Sequence, residues 1–273
     1  MRPIEAGDVN LPLGGNLRVE KMPAHWLMAR LGKRVLRPGG RETTEWLVGA
    51  SKIGPEDDVV ELAPGLGITA RRLLADSPRS YVGVERDETA AQHAARSIAA
   101  AGRPGARVLQ GDASRVPLPD GAATLVLGEA MLSMQPPNRK AAIVHEAVRL
   151  LRPGGRYAIH ELAVTADTSA ERLERIQADL SKTIHVGVRI GTPAGWRRLL
   201  EEAGLRVEAE RIAPMRLLEL DRLLDDEGWF GTTRFTFNAL RIPGAFRRLA
   251  AVRRSFRDHA DHLCAIALVA KRP

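Results

Sequence analysis

The sequence predicts an α/β fold with a doubly wound parallel sheet, on three observations. Short apolar strands alternate with helical patterns from residue 57 to residue 162. A glycine turn, Ala63-Pro64-Gly65-Leu66-Gly67, joins the first strand to the helix that follows it. A second Gly-rich turn, Arg152-Pro153-Gly154-Gly155, separates a later helix from a later strand. Right-handed crossovers lay each helix back on the sheet, which gives a Rossmann-like architecture.

The elements follow in order. Residues 1–20 are rich in Gly, Pro and Asn and read as an arm. Two short helices are expected between Pro23 and Ile53, broken at Arg37-Pro38-Gly39-Gly40, and the first is apolar around His25-Trp26-Leu27-Met28. Asp58 to Leu62 is the first strand, and the helix after Gly67 turns Ile68, Leu73 and Leu74 inward. Tyr81–Glu85, Arg107–Gln110, Ala123–Gly128 and Arg156–Leu162 are the next four strands. Helices are expected from Asp87 to Ala101 and from Arg139 to Leu151, the latter with Ile143, Ala147 and Leu150 on one face.

Beyond Leu162 the rhythm loosens. Thr168–Leu180 is a charged amphipathic helix, and Thr192-Pro193 opens another, with Thr as N-cap and Pro in the first turn, that runs to Glu202. Leu205–Ile212 and His262–Lys271 read as the last two strands. The segment between them holds Trp229, Phe230, Phe235, Phe237 and Phe246, with six arginines from Arg241 to Arg257. The expected division is an arm with lid helices over 1–45 and a main domain over 46–273, with a helical insertion at 213–261.

Composition narrows the functions. At 273 residues, 44% hydrophobic and 27% charged, the chain is long enough for one generous domain. Its apolar runs are too short to span a bilayer, its N-terminus lacks an apolar signal core, and one cysteine, Cys264, excludes an internal disulfide and a Cys-rich metal site. No metal is expected, and the location expected is cytoplasmic. A net charge of +8 reads first as arginine-rich background; for Arg247, Arg248, Arg253, Arg254 and Arg257 a solvated helix face comes first, an anionic substrate or lipid surface second, and nucleic acid last.

The ligand of the glycine turn is the central question. A triphosphate loop needs a Lys-Ser or Lys-Thr after the last glycine, and none follows Gly67. Gly65 to Ala70 fits the G-x-G-x-x-A form of nicotinamide sites, and Glu85 ends the next strand, where an acid can accept both ribose hydroxyls. S-adenosylmethionine (SAM) places its ribose at the same acid, so the turn alone leaves both open. Glu61, two residues before the turn, is read as a carboxylate facing the ligand, which would repel a pyrophosphate and suit a cationic one. Asp112, after the third strand, can accept the adenine amino group.

The stretches VVELAPGLG (59–67), YVGVERD (81–87), LQGDASRVPLPDGAATLVL (109–127) and LLRPGGRYAI (150–159), in this order and spacing, resemble the class I SAM-dependent methyltransferases. Within that class they resemble in particular the small-molecule enzymes related to the ubiquinone and menaquinone C-methyltransferases. The resemblance covers residues 40–212 and the final strand, and it implies a seven-stranded sheet whose last strand is antiparallel. It implies that Glu61, Gly65 and Gly67 line the methionine and ribose side, that Glu85 holds the ribose, and that Asp112 and Ala113 hold the adenine. Ala63, Arg86, Gly111 and Glu129 complete the expected cofactor contacts. The family usually has glycine where this chain has Ala63; Pro64 is expected to keep Ala63 extended, where a methyl group is tolerated.

The activity implied is methyl transfer from SAM to a small, apolar acceptor. The alternatives are a lipid-headgroup N-methyltransferase at a membrane surface, and a nucleic-acid-binding protein that uses the fold without catalysis. Gly128-Glu129-Ala130-Met131 lacks the Asn/Asp-Pro-Pro-Tyr/Phe motif of base N-methylases. His160 is the best candidate base, with Glu161 beside it, and Met131, His25, Trp26 and His185 are candidate acceptor contacts. Cys264 reads as a small core residue. A homodimer is compatible with the sequence; integral membrane association is not.

Overall fold

The computed structural model describes residues 17–215, 217 and 219–273, with only the backbone at Leu220. Most of the expected N-terminal arm, residues 1–16, lies outside the described residues. The strands are β1 (Asp58–Leu62), β2 (Ser80–Glu85), β3 (Arg107–Gln110), β4 (Ala123–Glu129), β5 (Leu151–Val164), β6 (Arg206–Pro214) and β7 (Leu263–Lys271). The helices are α1 (Ala24–Leu31), α2 (Gly40–Ser51), α3 (Ile68–Ala75), α4 (Glu88–Ala99), α5 (Pro137–Leu150), α6 (Ala170–Ile184), α7 (Pro193–Glu201), α8 (Leu220–Arg241) and α9 (Ala245–Arg257).

The strands form one seven-stranded sheet in the order β3-β2-β1-β4-β5-β7-β6. β1 to β5 pair in parallel, and β7 runs antiparallel to both β5 and β6. The chain winds outward from β1 to β3, then restarts at β4 and winds the other way. That reversal opens a crevice beyond the carboxyl ends of β1 and β4, the usual ligand position in such sheets.

Both sheet faces are covered, so the strands read as continuous apolar runs. On one face Val59, Leu125 and Ala158 pack against Leu47 of α2, Leu73 of α3 and Ile98 of α4. On the other, Val60, Val126 and Ile159 pack against Ile143 of α5 and Trp196 and Leu200 of α7. The strand period of two sends neighbouring valines to opposite faces. Cys264 is buried in β7, as a small core residue should be. At the amino ends of the strands Arg79 grips Asp58, which also meets Arg152, and its carboxyl is held down at about 2.

Some boundaries differ from expectation. β5 starts at Leu151, before the Arg152-Pro153-Gly154-Gly155 turn, because a register shift between Ala123 and Leu125 of β4 absorbs the extra residues as a bulge. α6 continues to Ile184, where His185 ends it with a left-handed φ of 58°. The expected boundary between residues 45 and 46 falls inside α2, which packs on the sheet.

α1, α8 and α9 share a core of their own, built from Leu27, Leu31, Phe235, Ala239 and Val252. Gly228, at φ 71° and ψ 174°, divides α8 into two segments, a conformation that costs glycine little. Among the described residues, no helix is long and apolar enough to cross a membrane.

Candidate active site

The crevice beyond β1 and β4 is a cavity of about 650 Å³, inside the ~300–1,000 Å³ range of small-molecule sites. The glycine turn forms one wall. Ala63 donates its N–H to Val84 O at 2.8 Å, and Gly67 donates to Pro64 O at 2.9 Å. These bonds hold Ala63 at φ 54°, so it is left-handed and not extended. Pro64 does not set the geometry; the main-chain bonds to β2 and across the turn do. A methyl group at this φ costs about 1–2 kcal/mol. Ala63→Gly should therefore raise the melting temperature by about 2–4 °C, read by thermal unfolding.

Gly65, at φ 58°, leaves open space where a side chain would stand, with only Ala63 O at 4.0 Å. Its N–H donates to Glu85 Oε2 at 3.1 Å. The other Glu85 oxygen accepts the N–H groups of Arg86 (2.8 Å) and Asp87 (3.1 Å). Burial pushes the Glu85 carboxyl up, and these three donors oppose it. Gly111, Asp112 and Ala113 line the same cavity at the end of β3. Ser114 N–H donates to Asp112 Oδ1 at 2.9 Å, and Arg139 pairs with Oδ2. Burial alone would raise the Asp112 carboxyl; Ser114 and Arg139 bring it below the ordinary value.

Glu129 is the hub of the site. Oε1 accepts Thr44 Oγ1–H at 2.6 Å and meets His160 Nδ1 at 2.9 Å. Oε2 accepts Thr69 Oγ1–H at 2.5 Å and pairs with Arg37 Nε at 2.9 Å. Burial would raise this carboxyl, but Arg37, His160 and Thr44 more than reverse it and hold it at about 2. The loop that carries Arg37 is tied to α8: Glu227 Oε1 accepts the N–H groups of Arg34 and Val35, both at 2.7 Å, and Asp226 accepts that of Arg41 at 2.9 Å. The buried Lys33 ammonium lies 3.7 Å and 3.8 Å from these two acids. The insertion thus fixes the loop that supplies the guanidinium.

After β4 the chain turns through Ala130, at φ 51°. The buried Glu161 accepts the N–H groups of Met131 (3.0 Å), Leu132 (2.8 Å) and Ser133 (2.9 Å), which anchors this loop beneath the cavity. From α1, His25 and Trp26 reach the wall with ring centroids 4.9 Å apart. Burial drives His25 down to about 4, against a small pull from Asp87, so its imidazole is neutral at pH 7.

The cavity therefore gathers Ala63, Gly65, Glu85, Arg86, Gly111, Asp112, Ala113, Glu129, Met131, His25 and Trp26. Four expected residues stand elsewhere. Glu61 is not on the wall: it is buried behind the turn, where Tyr81 O–H donates to it at 2.6 Å. Burial raises its carboxyl to about 8, so it is mainly neutral at pH 7; the acids that line the crevice are Glu85, Asp87, Asp112 and Glu129. Gly67 is needed for packing, since a Cβ there would lie 2.8 Å from Ser97 Cβ on α4. His160 is fully buried behind Glu129 and does not reach the cavity, which removes the geometry a base needs. His185 caps α6, and its neighbours Ile184 and Val186 line the cavity instead. Sequence reasoning missed Arg37 and Arg139. Arg37 had no signal beyond the Pro-Gly-Gly that follows it.

Comparison with known proteins agrees with this geometry. A family model described as a methyltransferase domain matches residues 59–155. An uncharacterized protein of Haemophilus influenzae is 31% identical over 251 residues, which cover 91% of this chain and 97% of that one. The [4+2]-cyclase SpnF shares the fold with a TM-score of 0.68 at 16% identity, over 90% of this chain and 93% of its own. A geranyl diphosphate methyltransferase in complex with SAM shares it with a TM-score of 0.59 at 17% identity, over 85% of each chain. The chain is thus a member of the family that holds the Haemophilus influenzae protein, and its residues 59–155 are a methyltransferase domain on the class I fold.

Proposed function

We propose that this protein is a SAM-dependent methyltransferase acting on a small, apolar acceptor. The observation that carries the reading is the placement of Glu85 and Asp112, at the ends of neighbouring strands, on the wall of one cavity with the open face of Gly65. These residues fit the cofactor. Glu85 Oε1 already accepts two N–H groups, but Oε2 accepts one and keeps a lone pair for a ribose hydroxyl, Asp112 can take the adenine amino group, and Gly65 leaves backbone-deep room for the ligand. Glu85, held by backbone N–H groups and not by a guanidinium, favours a cation over a pyrophosphate, the distinction first assigned to Glu61.

Bound there, SAM supplies an activated methyl group, so the chain's task is to hold the acceptor in line and exclude water. Met28, Leu162, Val186, Met215, Leu217 and Phe256 make the rest of the cavity apolar, which supports an apolar acceptor. His25 on the wall is neutral, but its lowered pKa makes it a weak base, so the reading rests on positioning the acceptor and not on proton removal. A cytoplasmic location goes with this reading.

Calorimetry should show SAM and S-adenosylhomocysteine binding without NADPH binding. Glu85→Ala and Asp112→Ala should each weaken SAM about 10- to 100-fold, the worth of hydrogen bonds to a charged group. Tight NADPH binding would overturn the cofactor assignment. Labelled-SAM turnover against quinols, phenols, amines and lipids tests the acceptor; methyl incorporation confined to strongly polar acceptors contradicts the apolar reading.

A further inference from the structure

The lid has an outer face that the reaction does not use. From Gly228 to Arg257 the chain has seven arginines and no acidic residue, and all five of its phenylalanines lie there. Phe235 is buried in the lid core, and Phe256 lines the cavity. The others point outward: Phe230 is 90% exposed, Phe237 60% and Phe246 59%, beside Trp229 at 73% and Leu240 at 68%.

The exposed residues are not scattered. At about 100° per residue, Trp229, Leu240, Thr233, Phe237 and Phe230 follow one another around one side of α8. Arg241 and Arg234 follow Phe230 along one edge of this row, while Phe235 and Ala239 occupy the opposite, buried side. The second half of α8 is therefore apolar on both faces, although only one faces a core. On α9 the exposed side carries Phe246, Arg247, Arg254 and Arg257. Among the described residues, no acid pairs with Arg241, Arg247, Arg254 or Arg257.

We propose that the outer face of α8 and α9 docks on an anionic lipid surface. Bulky aromatic and leucine side chains edged by arginines match a bilayer interface, where the rings sit among the headgroups and the guanidinium groups meet lipid phosphates. Single exposed apolar residues need no explanation, but four large ones on one side of α8 mark an interaction surface. Charge selects the occupant. A second copy would oppose one arginine-rich face with another and carries no acidic counterpart in this segment. Nucleic acid would reward the arginines but not Leu240, or an aromatic row alternating with apolar side chains. Met215, Leu217 and Phe256, from the same insertion, line the cavity on its inner side. Docking would thus set the roof of the cavity against the bilayer.

The test is flotation of the full chain, without SAM, on phosphatidylcholine vesicles with and without phosphatidylglycerol. The protein should float with the anionic vesicles and bind the neutral ones about tenfold more weakly. Added salt should weaken the anionic binding without abolishing it. The double variant Trp229→Ser/Phe230→Ser should lose about tenfold or more in vesicle affinity while its melting temperature is kept, since both side chains are already in solvent. Arg241→Gln/Arg254→Gln should remove the preference for the anionic lipid. No flotation on anionic vesicles at low salt overturns the proposal. So does affinity for RNA or DNA alone, or a concentration-dependent dimer that the Trp229→Ser/Phe230→Ser variant dissociates while vesicles are ignored.

Discussion

Glu129→Ala should lower the stability of this protein by about 3–5 kcal/mol, the cost of stripping one partner from a buried ion pair. The side chain is 5% exposed, so water cannot replace what is lost. Arg37, His160, Thr44 and Thr69 would each lose a partner at 2.5–2.9 Å. Glu129→Gln should cost less, because an amide keeps the shape and one acceptor oxygen but leaves Arg37 without a counter-charge. Arg37→Met added to Glu129→Gln should then recover part of the loss, and urea unfolding of wild type, the two single variants Glu129→Gln and Arg37→Met, and the double variant reads the coupling.

The same carboxylate carries an acid signature. Its folded pKa, about 2, lies below the ordinary 4.5, so its contribution is fully present above pH 4.5 and disappears as pH falls toward 2. The shift corresponds to about 3 kcal/mol. Glu129→Gln should flatten the stability profile in that window, and an unchanged acid limb would show that Glu129 is not the group that titrates there. A second consequence is functional: with the carboxylate gone from the cavity wall and the Arg37 guanidinium left unpaired, SAM affinity should fall even though Glu85 and Asp112 are intact.

Why the hub was hidden from sequence is a matter of distance along the chain. The strands were legible because burial on both faces leaves uninterrupted apolar runs, and Glu85 and Asp112 were legible because strand ends in this topology must face one crevice. Arg37 meets Glu129 only through a loop pinned by Asp226 and Glu227, nearly two hundred positions away. Nothing in Arg37-Pro38-Gly39-Gly40 reports that. His160 and Glu129 are partners on adjacent strands, β5 and β4, so proximity to the crevice was readable but the order from the surface inward was not. Ala63 shows the limit of local rules: a preference before proline yields to main-chain bonds that over-determine the turn. Glu61 was placed on the correct strand with the wrong outlook, because its partner, Tyr81, comes from β2 and captures the carboxyl behind the turn.

That capture makes Glu61 the source of an opposite pH effect. Its folded pKa, about 8, stands above the ordinary 4.5, chiefly through burial, with Glu129 and Glu85 adding to it and Tyr81 and Arg37 opposing it. Between these values the folded protein holds a proton that the unfolded chain releases. Stability from this group is therefore complete below pH 4.5 and is lost as pH rises through 8. The shift sets an upper limit of about 4–5 kcal/mol on the loss. Glu61→Gln keeps an oxygen to accept the Tyr81 hydroxyl and cannot ionise, so its stability should stay level across the window. Wild type and variant should match near pH 4, and the variant should be the more stable of the two at pH 8, as urea unfolding at both values would show. Parallel profiles would mean that Glu61 is ionised in the folded protein throughout. Removing the neighbouring charge gives an internal check: Glu129→Gln frees Arg37 to act on Glu61 alone, and the alkaline loss should then move to lower pH.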